Sequence, residues 1–333
     1  HGNLPGRLGA GLPNPRMDFH IPIHLHHFLH HRRGALLATL PATVASAPMR
    51  PLFLLLLLLA FATSAPARIL QDLQGTAVTV PDAPRRIATL MPALAEGLAD
   101  LGAGDLILAA PEYTELSSAL LSKIAVLGPY PFISAEKVYS LKPDLVIASV
   151  DGNDPALVTR LRAMKLPVLV ADTRSLNGIA DTLDLLTAAT GRGAEKAVQF
   201  RKALSANIAQ KNQHRPKLFL QLGWEPLVTV SKKTFIGEAI DQAGFENPFA
   251  DGMQAYPRPS VEKVIAANPD IIVICPLTPN KEETEKARAD WTRFKNLRAV
   301  KTGRVHVMPL GVLTKPGFRV LQGLMELRKL HDP

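Results

Sequence analysis

The segments SAEKVYSLKPDLVIAS, residues 134–149, and SVEKVIAANPDIIVIC, residues 260–275, align without a gap at a spacing of 126 residues. Each begins with a serine suited to cap a helix and continues with a glutamate in the first helical turn. A Pro-Asp turn then leads into an apolar run that is typical of a strand buried on both faces of a parallel sheet. This repeat predicts two lobes built on the same helix-to-strand unit.

Short apolar runs alternate with helical patterns on both sides of the first segment. The runs IATLM, DLILAA, DLVIAS and PVLVAD are rich in Leu, Ile and Val and are bounded by Gly, Pro or Asp. The stretches between them carry apolar residues at helical spacing. The alternation predicts an α/β lobe with a parallel sheet over residues 68–192.

The longest uninterrupted helical pattern in the chain is AEKAVQFRKALSANIAQKNQH, residues 194–214. About 21 residues at 1.5 Å each would span roughly 30 Å, which is enough to cross a lobe. We therefore predict that residues 193–215 form a connecting helix. The alternation restarts after it, so the sequence predicts a second α/β lobe over residues 216–333 and two α/β lobes joined by a single long helix.

The first 67 residues predict an amino-terminal extension and an export signal. The signal starts at about residue 49 with Met49 and Arg50, and an apolar run of eleven residues, 52–62, leads to small residues suited to cleavage. That run is too short to span a bilayer core of about 30 Å as a helix. We expect an exported protein whose mature chain begins near Arg68.

Seven of the ten histidines lie upstream of Met49, and five of them cluster in one segment. The five are His24, His26, His27, His30 and His31. Such a tract could bind a transition metal, which leaves a metal-binding protein as an alternative of another class. We expect instead that residues 1–48 lie outside the natural start, because a complete signal follows at an internal Met. Arg32 and Arg33 also fit a twin-arginine signal, which leads to the same destination.

Composition narrows the function classes. The 333 residues are 47% apolar and 20% charged, as in globular proteins. The net charge is +9, of which five Arg and one Asp in residues 1–67 account for +4, and no basic run suggests nucleic acid as a partner. A single cysteine, Cys275, excludes an intramolecular disulfide and a Cys-based zinc site.

Common catalytic and cofactor motifs are absent from the sequence. It contains no GxxxxGK[ST] phosphate loop, no HExxH and no GxSxG, and GAGDLI at Gly102 lacks the third glycine of a dinucleotide fingerprint. We expect no enzymatic activity, no cofactor and no resident metal. An enzyme with an unrecognised site is the remaining alternative.

Aromatic residues are scarce, and their positions point to a cleft. A cleft between α/β lobes is lined by loops at the carboxyl ends of their strands, where ligands bind. Tyr130 precedes the first repeat helix, Tyr256 precedes the second, and Trp224 follows the run KLFLQL. The two tyrosines are predicted to face each other, and their rings suit a large, flat, partly polar ligand. The alternative is that the rings only cover the ends of the lobes.

In these features the sequence resembles the periplasmic cobalamin-binding proteins of bacterial ABC importers, a helix-linked class of substrate-binding proteins that also carries haem and siderophores. The resemblance covers residues 86–330 and is most specific in RIATLMPALAEGLADLG, in SAEKVYSLKPDLVIASVDGN and in the segment from FLQLGWEPLV through the second repeat. It implies a monomer that captures cobalamin or a related corrinoid and hands it to an ABC importer permease.

The alternatives within the same class are a haem- or an iron-siderophore-binding protein. For haem, Tyr130 or Tyr256 could supply an axial phenolate. A siderophore would favour several converging Arg and Lys residues, for which Arg258 is the candidate.

The resemblance also assigns site residues. Tyr130 and Tyr256 stand where the family often has tryptophan, Ser149 stands at another aromatic position, and Leu222 stands at a phenylalanine position. These departures predict thinner apolar walls, which weakens the assignment of cobalamin over a related corrinoid. The predicted ligand-binding residues are Pro92, Tyr113, Tyr130, Ser149, Asp151, Gly152, Asn153, Leu222, Trp224, Tyr256 and Arg258.

Two glutamates are predicted to dock on the permease. In the family, one acidic residue of each lobe meets basic residues of the permease, and the matching positions are Glu136 and Glu262. A carboxylate in the first helical turn is stabilised by the helix amino end, yet it can stay exposed for charge pairing. The alternative is a local capping role worth about 0.3 to 1 kcal/mol.

Overall fold

Two parallel sheets, one of five strands and one of three, form the frame of the protein. The computed structural model describes residues 66–207, 215–276 and 281–331. The predicted signal and the histidine tract lie outside the described residues. Within the described ranges, no helix combines the length and the apolar character needed to cross a membrane.

An antiparallel hairpin that the sequence analysis did not predict precedes the first sheet. Its strands are β1, Ala67–Gln71, and β2, Ala77–Pro81. In the turn between them the buried carboxylate of Asp72 accepts hydrogen bonds from the guanidinium of Arg162, at 2.7 Å, and from the backbone N–H of Val170, at 3.3 Å. The hairpin is therefore anchored to the first lobe by a buried ion pair.

The first lobe has a five-stranded parallel sheet with the strand order β5-β4-β3-β6-β7. Its strands are β3, Ile87–Thr89; β4, Ile107–Ala110; β5, Ala125–Val126; β6, Leu145–Ser149; and β7, Val168–Ala171. Its helices are α1, Pro92–Asp100; α2, Ser118–Leu121; α3, Ala135–Ser140; α4, Pro155–Ala163; and α5, Leu176–Thr190. Every residue of β6 is buried, because helices cover both faces of a parallel sheet.

The second lobe has a three-stranded parallel sheet with the strand order β12-β11-β8 and a small hairpin, β9-β10. Its strands are β8, Leu218–Gln221; β9, Gly223–Trp224; β10, Leu227–Val228; β11, Ile271–Ile274; and β12, Val305–Val307. Its helices are α7, Phe235–Gln242; α8, Val261–Ala267; α9, Lys281–Thr292; α10, Arg298–Lys301; α11, Leu310–Leu313; and α12, Arg319–Lys329. The α/β prediction for both lobes is confirmed.

The sequence repeat corresponds to equivalent units of structure. The hydroxyl oxygen of Ser134 accepts a hydrogen bond from the N–H of Lys137, and that of Ser260 accepts one from the N–H of Lys263. The capped helices, α3 and α8, lead into β6 and β11, and each of these strands is flanked by parallel neighbours on both sides. The repeat therefore reflects the same helix-to-strand step at the same place in each sheet.

The helix after the first lobe, α6, spans Ala194–Ala206 and is shorter than the pattern predicts. It has 13 residues and ends at Asn207, whose side-chain amide donates to the carbonyl of Ala203. The prediction of one helix over residues 194–214 was wrong in length, because asparagine can satisfy a helix carbonyl with its own side chain. Residues 208–214 lie outside the described residues, so the connecting role of residues 193–215 stays a prediction.

Helix α6 contacts both lobes. The ammonium of Lys196 donates to the carbonyl of Asp100 at the end of α1, at 2.5 Å. The ring of Phe200 packs edge-on against Phe318, next to α12, with centroids 5.4 Å apart. The helix is thus packed along both lobes rather than exposed between them.

Candidate functional site

The loop that follows β6 is held in place by hydrogen bonds within the first lobe. The amide oxygen of Asn153 accepts from the N–H of Ser149, at 2.9 Å, and its amide nitrogen donates to the carbonyl of Leu90, at 2.8 Å. The hydroxyl oxygen of Ser149 accepts from the N–H of Asp151, at 3.3 Å. Both Ser149 and Asn153 are buried, so their polar atoms fix the loop and leave Asp151 and Gly152 at its tip.

The ring of Tyr130 lies directly on this loop. A β carbon placed on Gly152 would be 3.3 Å from Cε2 of Tyr130 and 3.4 Å from Sδ of Met91. Glycine is the residue that lets the ring approach the backbone this closely. Tyr130 keeps 38% of its surface exposed, so one face of the site is an aromatic ring.

Tyr256, from the second lobe, approaches the same place. Burial raises the pKa of Tyr256 to about 12, with further contributions from the charge of Asp151 and from Tyr130. Asp151 and Tyr130 therefore lie within electrostatic range of Tyr256. The ring of Tyr130 and the carboxylate of Asp151 belong to the loop region after β6, and both act on a tyrosine of the second lobe.

Asp151 has no direct ionic partner among the described residues. Partial burial of its carboxyl raises the pKa of Asp151, and the charge of Asp172 raises it further, while Arg174 opposes the rise. Asp172 itself is neutralised by Arg174, which donates to its two oxygens at 2.8 and 2.5 Å. The carboxylate of Asp151 makes no hydrogen bond or ion pair with any described residue, so it is available to a ligand.

Trp224 and Leu222 lie at the carboxyl end of β8, as the sequence predicts. They help to line a cavity of about 180 Å³ that reaches α9. The ring of Trp224 packs edge-on against Trp291, with centroids 5.3 Å apart, under the guanidinium of Arg293. Trp224 therefore covers the end of the second lobe and also forms part of a cavity wall.

The other three predicted ligand-binding residues, Pro92, Tyr113 and Arg258, lie outside the loop that follows β6. Pro92 occupies the first turn of α1. Tyr113 is 84% exposed and has a left-handed backbone with φ of 63°. Arg258 is exposed, and within residues 66–207, 215–276 and 281–331 it has no ion-pair partner. Their role in ligand binding stays a prediction.

The two predicted docking glutamates are exposed and equivalent in their local structure. The hydroxyls of Ser134 and Ser260 hydrogen-bond to Glu136 and Glu262 and lower the pKa of each carboxyl. Glu136 also forms an ion pair with Arg160 at 2.5 Å, whereas Glu262 has none in the described part of the chain. Local capping interactions therefore exist in both lobes, and docking on a permease stays a prediction.

Polar contacts between the lobes are features that the sequence analysis missed. The buried carboxylate of Glu96, on α1, accepts from the ammonium of Lys315, at 3.0 Å, and from the N–H of Glu115, at 2.9 Å. A second contact also joins the two lobes: the carboxylate of Glu238, on α7, accepts a hydrogen bond from the N–H of Leu176 at the start of α5, at 2.7 Å. No local sequence signal marks partners that are up to 219 positions apart.

A metal centre is not evident in the described ranges. They contain no group of three or more His, Cys, Asp or Glu side chains placed to hold a metal ion. Cys275 is buried, and burial raises the pKa of its thiol to about 12. A protonated, enclosed thiol is a poor nucleophile and a poor metal ligand.

Known proteins match this chain both in sequence and in fold. The sequence model of the family described as periplasmic binding protein matches residues 87–310. The vitamin B12-binding protein of Vibrio parahaemolyticus is 27% identical over 250 residues, which cover 73% of this chain and 87% of that protein. The crystal structure of the periplasmic vitamin B12 binding protein of Vibrio cholerae matches with a TM-score of 0.67 and 28% identity, over 75% of this chain and 97% of that one.

A second protein of Vibrio cholerae, a periplasmic haem binding protein, also matches. Its TM-score is 0.64 at 19% identity, over 74% of this chain and 99% of that one. At this identity the likeness concerns the fold alone. The fold is therefore shared by proteins with different ligands, and the ligand must be argued from the side chains of the cleft.

Proposed function

Because the chain belongs to the periplasmic binding protein family, we propose that it captures cobalamin or a related corrinoid between its lobes and delivers it to an ABC importer. The observation that carries this proposal is that Tyr130 lies on the loop at the carboxyl end of β6, and that Tyr130 and Asp151 of the first lobe act electrostatically on Tyr256 of the second. The names of the relatives at 27% and 28% identity support the choice of ligand.

The chemistry of the pair suits a flat macrocycle. Each tyrosine offers an apolar face and a hydroxyl tip, so it can contact the ring system and hydrogen-bond to a polar edge. Binding requires only non-covalent burial of the ligand, and the proposal involves no catalytic step. The protein would act in the periplasm, with the ABC importer permease as its partner.

Haem is the second candidate, because a tyrosine can serve as its axial ligand. One observation favours the corrinoid. The charge of Asp151, which has no ion-pair partner among the described residues, opposes the carboxylates that haem carries at its edge.

A direct binding measurement tests the proposal. Purified protein is incubated with cyanocobalamin or with haemin, separated from free ligand, and examined by absorption spectroscopy and then by calorimetry. We expect retention of cyanocobalamin at a ratio of one to one, with a dissociation constant below about 1 μM, or roughly −8 kcal/mol. Retention of haem alone, lost in Tyr130→Phe or Tyr256→Phe, would contradict it.

The double variant Glu136→Ala/Glu262→Ala tests delivery separately from capture. Both carboxylates are exposed at first helical turns on equivalent positions of the two lobes. We expect unchanged affinity for the ligand, within about twofold, and uptake by cells reduced at least about tenfold, because complementary charges set docking registration and rate. The matched control is Glu282→Ala, which removes an exposed carboxylate of α9. Uptake at the wild-type rate in the double variant would refute the docking role.

A further inference from the structure

Asp151 is a carboxylate of the candidate site that has no hydrogen-bond or ion-pair partner in the described part of the chain. Its backbone N–H is held by the hydroxyl of Ser149, and Asn153 fixes the same loop from behind. The carboxylate is thus carried by a hydrogen-bonded loop on which the ring of Tyr130 lies, and its charge acts on Tyr256. Its position is set by the fold and not by a contact of its own.

Neighbouring cations do not cancel this charge. Arg174 is the cation that influences Asp151, but it is engaged with both oxygens of Asp172. Arg258, two residues beyond Tyr256, contributes to the pKa of neither Asp151 nor Tyr256. Asp151 therefore has no ion-pair partner of its own within the described residues.

A ligand that fills the cleft must satisfy this carboxylate. Covering Asp151 displaces its water, and a charged group left without a donor after burial is costly. An ionised carboxylate only accepts hydrogen bonds. Corrinoids carry primary amides around the ring, and each amide offers two N–H donors, whereas haem carries carboxylates that would face a like charge.

We propose that Asp151 is a specificity-determining residue whose carboxylate accepts a hydrogen bond from a peripheral amide of the corrinoid and excludes ligands that present a carboxylate there. This inference rests on the proposed function and adds the chemical reason for selecting an amidated macrocycle. Burial already raises the pKa of Asp151 in the free protein, which agrees with a carboxylate that lacks donors until the ligand arrives.

The test compares cyanocobalamin with its derivatives in which one peripheral amide is hydrolysed to the acid. Calorimetry is performed with the wild type, Asp151→Asn and Asp151→Ala. We expect Asp151→Ala to weaken cyanocobalamin binding about tenfold, as for loss of a hydrogen bond to a charged group. We also expect the wild type to bind at least one acid derivative about tenfold or more weakly than cyanocobalamin, and Asp151→Asn to reduce that preference.

The matched control is Asp154→Asn, three residues further along the chain. Asp154 is exposed and caps α4 through the N–H of Ala156, and asparagine preserves the cap while it removes the charge. We expect the control to discriminate as the wild type does. Unchanged discrimination in Asp151→Asn, or unchanged cyanocobalamin affinity in Asp151→Ala, would overturn the role of Asp151 alone. Absence of cyanocobalamin binding by the wild type would overturn the proposed function and this inference with it.

Discussion

Replacing both Tyr130 and Tyr256 with alanine is expected to weaken cobalamin binding by about a thousandfold. The two rings are partly exposed, at 38% and 40%, although aromatic side chains usually bury their faces. Loss of an aromatic anchor at the centre of an interface costs about 2 kcal/mol or more. Two such losses add up to about 4 kcal/mol, which is roughly a factor of a thousand in the dissociation constant. Calorimetric titration with cyanocobalamin measures the dissociation constants of the wild type and the variant.

Two control variants are needed. The first separates the contribution of the rings to cobalamin affinity from that of the hydroxyls, and the second separates an effect at the site from a general effect of removing a surface tyrosine. Tyr130→Phe/Tyr256→Phe keeps both rings, so we expect cobalamin affinity within about tenfold of the wild type, the loss being limited to hydroxyl hydrogen bonds. Tyr139→Ala removes an exposed tyrosine of α3 and should leave affinity unchanged. If the double alanine variant binds as the wild type does, the rings merely cover the ends of the lobes.

Replacing Trp291 with alanine is expected to lower the free energy of unfolding by about 3 to 5 kcal/mol. Trp291 is fully buried, and its indole N–H donates to the side-chain oxygen of Gln221. Its ring packs edge-on against Phe219 and Trp224, with centroids 5.6 and 5.3 Å away. The truncation leaves a cavity in the core of the second lobe and an unpaired amide oxygen. Urea unfolding followed by far-ultraviolet circular dichroism measures the change.

A control on the same helix tests whether the effect comes from the core. Glu285→Ala changes an exposed residue of α9 and should alter the free energy of unfolding by less than about 0.5 kcal/mol. If Trp291→Ala lowers the free energy of unfolding by less than about 1 kcal/mol, the neighbouring side chains have repacked to fill the cavity.

Trp291 also shows where sequence patterns were insufficient. The stretch NKEETEKARADWTRF is mostly polar, and its composition gives no indication of a core element. In the structure, residues 281–292 form α9, which places the ring of Trp291 in the core, while Glu282, Glu285 and Arg288 are exposed. One buried tryptophan contributes as much contact as several aliphatic residues, so a helix can be anchored without an apolar stripe.

The amino-terminal hairpin was missed for a different reason. Its strands β1 and β2 have five residues each, and a hairpin of this size has little stability by itself. Its stability depends on Asp72, which reaches Arg162 and Val170 about ninety positions later. A pattern confined to residues 67–81 carries no information about those partners.

The sequence by itself determined the two-lobe α/β architecture, the order of most elements and the capped helices of the repeat. Those features depend on apolar spacing and capping residues within a few positions, so they can be recognised locally. Only the tertiary structure decided that the ring of Tyr130 lies on the loop that carries Asp151, that Asn153 faces inward, and that Glu96 pairs with Lys315 across 219 positions. Such contacts follow from how the elements pack in three dimensions, because neither partner changes the pattern of residues around the other.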